Sequence, residues 1–199
     1  MPLQNRVDPF GKLVASPARG TLFGNRGGRF HRDDRTLGSR RFASRQWICC
    51  VLDFKGRQRD VWGRSYTELF FLDEVTALSA GHRPCFECRR AAAQAFAAAF
   101  AIGNNIATIP SAPTMDRILH PERLATPVTR KIGDLPDGVV IEQSGEGFAL
   151  RGDRLLRWTP AGYDRTMSRP NGIAVVLTPP SIVGALAAGY APRWHPSAD

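Results

Sequence analysis

The feature that most constrains this chain is a pair of cysteines, Cys85 and Cys88, separated by two residues. They follow a helix-ending glycine, Gly81, and precede an alanine-rich segment that predicts a helix over 89–100. A C-x-x-C turn lets two thiolates bind one ion, and the dipole of the following helix favours the thiolate form. Since a metal ion in such a site usually has four ligands, the pattern indicates two more elsewhere.

The other sulfur donors are Cys49 and Cys50, which are adjacent on a predicted strand. Neighbouring strand residues point to opposite faces, so at most one of them can face the ion. Alternation alone does not choose between them. Imidazole donors are available from the four histidines: His31, His82, His120 and His195. His82 lies close to the C-x-x-C, but Pro84 stiffens the connection and makes a shared ion strained.

The chain of 199 residues has a formal net charge of +9 and an isoelectric point near 10.2. Of its 27 basic residues, 24 are arginines. Arginine suits bidentate contact with phosphate, so nucleic acid is the first partner to consider, although GC-rich codons would also enrich arginine. No apolar run could span a bilayer and no secretory signal is evident, so we expect the cytoplasm, where cysteines bind metal more often than they form disulfides.

The most basic segment runs from Arg19 to Arg45, where eight arginines oppose only two aspartates. Glycines interrupt the segment, which predicts a loop with a short strand at 21–23. Its arginines could contact phosphates, or they could simply form a solvated surface. The predicted nucleic-acid-binding residues are Arg26, Arg29, Arg32, Arg40 and Arg41. The aromatic residues Trp158, Tyr163 and Trp194 could stack bases or fill small cores.

The rest of the first half alternates strands and helices. The predicted elements are a hairpin over 47–62 turning at Lys55-Gly56, a strand over 66–71 and a helix capped by Asp73. In the second half we predict a helix that Pro121 bends or splits, a three-stranded meander over 138–158, a loop over 158–172, a strand over 173–178 and a closing helix.

The string "YTELFFLDEVTALSAGHRPCFECR" resembles the second half of the zinc-binding domain of the Ada DNA-repair proteins. "FGNRGGRFH" is similar to the opening of a short zinc module attached to some bacterial nucleases. The resemblance covers about residues 22–90 and implies a zinc site formed by His31, Cys50, Cys85 and Cys88, with Cys50 chosen over Cys49. With one histidine among the ligands the sulfurs are less nucleophilic, so we do not expect methyl transfer.

The strings "YTELFFLDE", "AGHRPC-x-x-CRR", "LLRWTPAGY" and "VLTPPS" are similar to those of a bacterial family, and this likeness implies a domain layout rather than a chemistry. We expect an α+β protein: an irregular lead-in over 1–19, a zinc-stapled β-hairpin and helix module over 20–101, and a mostly β half over 102–199. The second half either packs on the module or forms a small separate domain.

Four protein ligands would saturate Zn²⁺, so we expect a structural zinc in a nucleic-acid-binding protein rather than a zinc enzyme. One alternative is an enzyme on nucleic acid, either a nuclease or a thiol-based group acceptor with Cys49 or Cys50 exposed and of lowered pKa. Another is a scaffold that binds a protein through the second half.

Overall fold

The computed structural model describes all 199 residues, which form two six-stranded sheets and four α-helices. This architecture confirms the predicted α+β class. The strands of the first sheet are β1 (Arg6–Val7), β2 (Leu13–Val14), β3 (Leu22–Arg26), β4 (Trp47–Val51), β5 (Leu69–Phe71) and β6 (Arg83–Pro84). Their order is β2-β1-β5-β3-β4-β6, and the pairs β1–β5 and β4–β6 are parallel.

The second sheet is antiparallel throughout, with the order β11-β10-β9-β8-β12-β7. Its strands are β7 (Val128–Lys131), β8 (Val140–Gln143), β9 (Glu146–Arg151), β10 (Arg154–Thr159), β11 (Gly162–Ser168) and β12 (Ile173–Val176). The predicted meander corresponds to β8, β9 and β10. Its first turn has positive φ at Ser144 and Gly145, as a tight two-residue hairpin turn requires.

The helices are α1 (Glu74–Ser79), α2 (Arg90–Gly103), α3 (Ala112–Leu124) and α4 (Pro180–Ala187). Each corresponds to a predicted helix. Asp73 caps α1 through a bond from the Thr76 N–H at 2.9 Å. Pro121 lies inside α3, which continues as one helix and is not split.

The largest hydrophobic core joins the two halves of the chain. Phe96 and Phe100 of α2 pack in one cluster with Leu150 of the second sheet and Ile182 of α4. Helices α2 and α4 approach closely where Gly103 meets the Gly184 backbone: a Cβ at Gly103 would lie 2.0 Å from the Gly184 carbonyl oxygen. This crossing therefore requires glycine, and the two halves share buried apolar surface.

Polar contacts at the start of α1 also join the halves. The buried Asp73 carboxylate accepts bonds from the Tyr163 hydroxyl at 2.9 Å and the His195 N–H at 3.1 Å. The neighbouring Glu74 accepts bonds from the Tyr190 hydroxyl at 2.5 Å and the Arg193 N–H at 2.9 Å. Two adjacent carboxylates of the first half thus bind four donors of the second.

Three sequence-based predictions are wrong in detail. Strand β4 pairs with β3 and β6, and residues 52–68 contain no strand, so the hairpin over 47–62 does not form. The segment predicted as a loop over 158–172 contains β11, whose backbone pairs with β10. The lead-in over 1–19 is not irregular, because β1 and β2 extend the first sheet.

Two of the candidate stacking aromatics are structural. The Trp158 indole N–H donates to the Thr76 hydroxyl at 3.0 Å, and Tyr163 is buried with its hydroxyl on Asp73. Trp194 packs against the Tyr163 ring at a centroid distance of 5.9 Å. None of the helices combines the length and the apolar composition needed to cross a membrane.

We predict that Asp73→Ala lowers the free energy of unfolding by about 3 kcal/mol, because it removes a helix cap and leaves buried donors of the second half unpaired. Urea unfolding followed by circular dichroism measures the change. Asp53→Ala, at an exposed position, is the matched control and should stay within about 0.5 kcal/mol of the parent. Equal stability of the two variants would show that Asp73 does not join the halves.

Candidate metal centre

The position of the C-x-x-C follows from the parallel pairing of β6 with β4. The Cys85 N–H donates to the Cys49 carbonyl at 3.0 Å, and this register sets Cys85 beside Cys50. The chain then turns, closed by a bond from the Arg89 N–H to the Cys85 carbonyl at 3.0 Å. The turn returns Cys88 to the same side as Cys85 just before α2 begins.

The structure thereby brings together Cys50, Cys85 and Cys88, whose sulfur atoms all lie within 4.8 Å of one another. Sulfurs bound tetrahedrally to one ion at about 2.3 Å would lie about 3.8 Å apart, so small side-chain movements would suffice. The Glu87 N–H lies 3.4 Å from the Cys85 sulfur and donates to it, which stabilises a thiolate there. These three cysteines could hold a metal ion.

The three thiols of the cluster differ in pKa because they lie against one another. Contact with the Cys50 thiol lowers the pKa of Cys85 to about 5 and also lowers the pKa of Cys88. The same two contacts raise the pKa of Cys50. Cys85 and Cys88 therefore favour the thiolate form that binds metal ions.

Cys49 lies on the opposite face of β4 and takes no part in the cluster. It is 0% exposed and packs in the apolar core with Leu69 and Phe71. Its sulfur accepts a bond from Arg89 Nη1 at 3.1 Å, and burial raises the pKa of Cys49 to about 12. Cys49 and Cys50 are both buried, so neither is the exposed thiol that the group-acceptor alternative predicts.

The predicted ligand His31 does not join the three cysteines, and this corrects the four-ligand set. Its Nε2 lies 2.9 Å from the Gly63 carbonyl and its Nδ1 lies 2.8 Å from the Thr67 hydroxyl. Since a carbonyl only accepts, Nε2 carries the proton and Nδ1 accepts from the hydroxyl. The ring also stacks on Trp62, with centroids 5.3 Å apart. Hydrogen bonds occupy both ring nitrogens. His31 therefore binds no metal in this arrangement and instead holds its own loop, residues 26–46, against residues 62–67.

The prediction that Arg26 binds nucleic acid is also wrong, because this residue is only 2% exposed. Its guanidinium lies over the Trp47 ring at 4.0 Å and donates to the Gly11 carbonyl at 2.9 Å. Burial is the main cause that lowers the pKa of Arg26. The residue belongs to β3, where alternation turns its side chain inward; a loop was predicted there.

The other predicted arginines lie on the surface. Arg32, Arg40 and Arg41 are exposed, and Arg29 is half-buried and forms an ion pair with Asp33. The bridge between His31 and Leu37 folds this part of the loop back on itself. These side chains are placed where a ligand could reach them.

Two buried ion pairs hold the residues on either side of the C-x-x-C. Before it, Arg83 binds Asp116 of α3 in bidentate fashion, at 3.1 Å and 2.8 Å. After it, Arg89 binds Glu74 of α1 at 2.6 Å. Both arginines are at least nine-tenths buried, so the cysteine turn is fixed by the surrounding fold as well as by any ion.

A cavity of about 460 Å³ adjoins the cysteines and is open to solvent. The three cluster cysteines line it together with Phe23, Phe54, Arg57, Arg59, Arg64 and Tyr66. Three carboxylate residues, Asp60, Glu68 and Glu87, also reach it. The centre therefore lies at the wall of an open cavity that is lined by both charged and aromatic residues, and not inside a closed core.

Sequence reasoning missed the residues that support the centre. Glu74 and Arg89 both lie in the string "YTELFFLDEVTALSAGHRPCFECR", but neither was assigned a role at the zinc site. The available signal was the charged residue immediately after the predicted metal turn, Arg89; Glu74 lies eleven residues before the turn and carried none. Arg57 and Arg59 carried no such signal because they fell in the predicted hairpin over 47–62, and Arg64 lay between two predicted strands.

Comparisons with protein-family models, with curated proteins and with solved structures give no match to this chain. The likeness to the Ada zinc-binding domain accordingly stays a prediction.

We predict that the purified protein contains about one metal ion per chain and that Cys50→Ser, Cys85→Ser and Cys88→Ser each lower metal affinity at least about a hundredfold. Elemental analysis and chelator competition measure this. Cys49→Ser is the matched control because it changes the adjacent residue on the other face of β4, and it should retain the metal. His31→Gln should retain it too. Metal loss in either control would contradict the three-cysteine site.

Proposed function

We propose that the protein binds zinc at Cys50, Cys85 and Cys88 and binds nucleic acid, with DNA as the expected form, through its arginine loop, residues 26–46. The single observation that carries this proposal is that a loop with exposed arginines is fixed by His31 to residues 63 and 67, in the segment that lines the cavity next to the three cysteines. Zinc is the expected ion because thiolate ligands select zinc among the common divalent cations.

The arginine loop is held at its start, middle and end. Arg26 is buried at its start, and His31 binds residues 63 and 67. Near its end, the Arg45 carbonyl accepts a bond from Arg123 Nη1 at 2.7 Å. Held in this way, the loop would present its exposed arginines with little further loss of entropy on binding.

The charge of the loop favours a phosphate backbone as the partner. Within residues 26–46 the only acidic residues are Asp33 and Asp34, and one of them is paired with Arg29. Arg32, Arg40 and Arg41 form no ion pair in the structure. Guanidiniums that are exposed and unpaired can bind phosphate oxygens and release condensed counterions.

We predict that the affinity for duplex DNA falls steeply with salt and that the double variant Arg40→Gln/Arg41→Gln lowers the salt slope by about 1.8, or about 0.9 for each lost phosphate contact. Fluorescence anisotropy with a labelled duplex and a labelled single strand, over a salt series, measures both quantities. The metal content should be unchanged, because neither arginine touches the cysteines.

The matched control is Arg130→Gln/Arg165→Gln, which removes the same charge from exposed positions on the outer strands β7 and β11 of the second sheet. This variant should keep the parental slope. Binding that does not depend on salt, or an equal loss of slope in both double variants, would refute binding through the arginine loop.

A further inference from the structure

We propose that a metal ion held by the three cysteines has a fourth coordination position that opens into the adjoining cavity and takes the oxygen of a phosphate group. The inference rests on the metal site of the proposed function and deepens it, since it replaces a closed structural zinc by one with an exchangeable ligand. A site with three protein ligands and an external fourth is the arrangement in which zinc binds substrates.

The first observation is that the chain supplies only three ligands. No histidine, aspartate or glutamate joins the sulfur cluster. The carboxylates that line the cavity are bound elsewhere: Glu68 accepts the Trp62 N–H at 2.8 Å, Glu87 pairs with Arg57 at 2.6 Å, and Asp60 pairs with Arg35 at 3.0 Å. A tetrahedral ion would therefore complete its coordination from outside the chain.

The second observation is that the cavity next to the three cysteines is large enough for a ligand. All three cluster cysteines line the open cavity of about 460 Å³, a volume within the range of small-molecule sites. Cys88 is only half-buried, so the cluster meets solvent on this side. Phe23, Phe54 and Tyr66 provide apolar walls around it.

The third observation is the arrangement of arginines, which selects the ligand. One divalent ion with three thiolates carries a net negative charge, so an anion binds it only where cations compensate. Three arginines line the cavity; Arg57 is paired with Glu87, which leaves Arg59 and Arg64 as the cations that face an anion. The Arg59 guanidinium lies over the Phe23 ring at 4.0 Å and donates one hydrogen bond to the Leu52 carbonyl at 2.7 Å. Arg64 forms no hydrogen bond or ion pair, which leaves its planar fork free for phosphate oxygens.

Arg64 also connects the cavity to the arginine loop. It lines a second hollow together with Arg29 and Arg35, and the Arg35–Asp60 ion pair joins the same two regions. A nucleic-acid strand on the arginine loop could therefore place one phosphate in the cavity. Free phosphate offers the same chemistry, so the two sources have to be separated by experiment.

The test uses the full-length protein loaded with cobalt(II), whose visible absorption reports the number and kind of its ligands. We expect inorganic phosphate to change the cobalt bands saturably. Arg64→Gln should weaken this response about tenfold, the loss expected for one charge-assisted contact, without changing metal content or the spectrum before phosphate is added. Arg165→Gln, on β11, is the charge-matched control and should respond as the parent does.

A second arm separates the sources of phosphate. A single-stranded oligonucleotide with a 5′-phosphate, the same strand without it and inorganic phosphate are compared at equal phosphate concentration. A larger response to either strand than to inorganic phosphate assigns the position to nucleic acid, and equal responses assign it to free phosphate; both support the exchangeable position.

The proposal is overturned if no phosphate source changes the cobalt spectrum, or if Arg64→Gln responds like the parent. Failure of the arginine loop to bind DNA while inorganic phosphate still changes the spectrum would instead refute nucleic-acid binding alone. If DNA binds but no phosphate source changes the cobalt bands, the exchangeable position is refuted and nucleic-acid binding is kept.

Discussion

The short parallel pairing between β4 and β6 is the contact on which the candidate centre depends. It fixes the Cys85 N–H on the Cys49 carbonyl and so places Cys85 beside Cys50, more than thirty residues earlier in the chain. A pairing of two residues is weak alone. Buried ion pairs of Arg83 and Arg89 hold the chain on either side of the two cysteines. Removing one partner of such a pair costs several kcal/mol, so the cysteine turn and its surroundings depend on each other.

These ion pairs also explain why the two halves form one body. Arg89 binds Glu74, and Glu74 in turn accepts the Tyr190 hydroxyl from the end of the chain. Before the cysteine turn, Arg83 binds Asp116 of α3, which belongs to the second half. The second half thus supplies polar partners to the elements that carry the cysteines, in addition to the shared core of α2, α4 and the second sheet.

Local signals in the sequence predicted the fold well where they were strong. The Asp73 cap, the alanine-rich α2 and the turn at Ser144-Gly145 all set structure within a few residues. They failed where long-range contacts decide: β4 pairs with β3 and β6 rather than with the segment that follows it. For the site, alternation could not choose between Cys49 and Cys50, and His31 was misassigned because its partners Gly63 and Thr67 carry no sequence signal.

The central claim is a metal ion bound by three sulfurs of this chain and one external ligand, and X-ray absorption at the zinc edge tests it most directly. The account predicts three sulfur neighbours at about 2.3 Å and one lighter neighbour at about 2.0 Å, unchanged in His31→Gln. Four sulfur neighbours, a lighter neighbour lost with His31, or purified protein that holds no metal would contradict it.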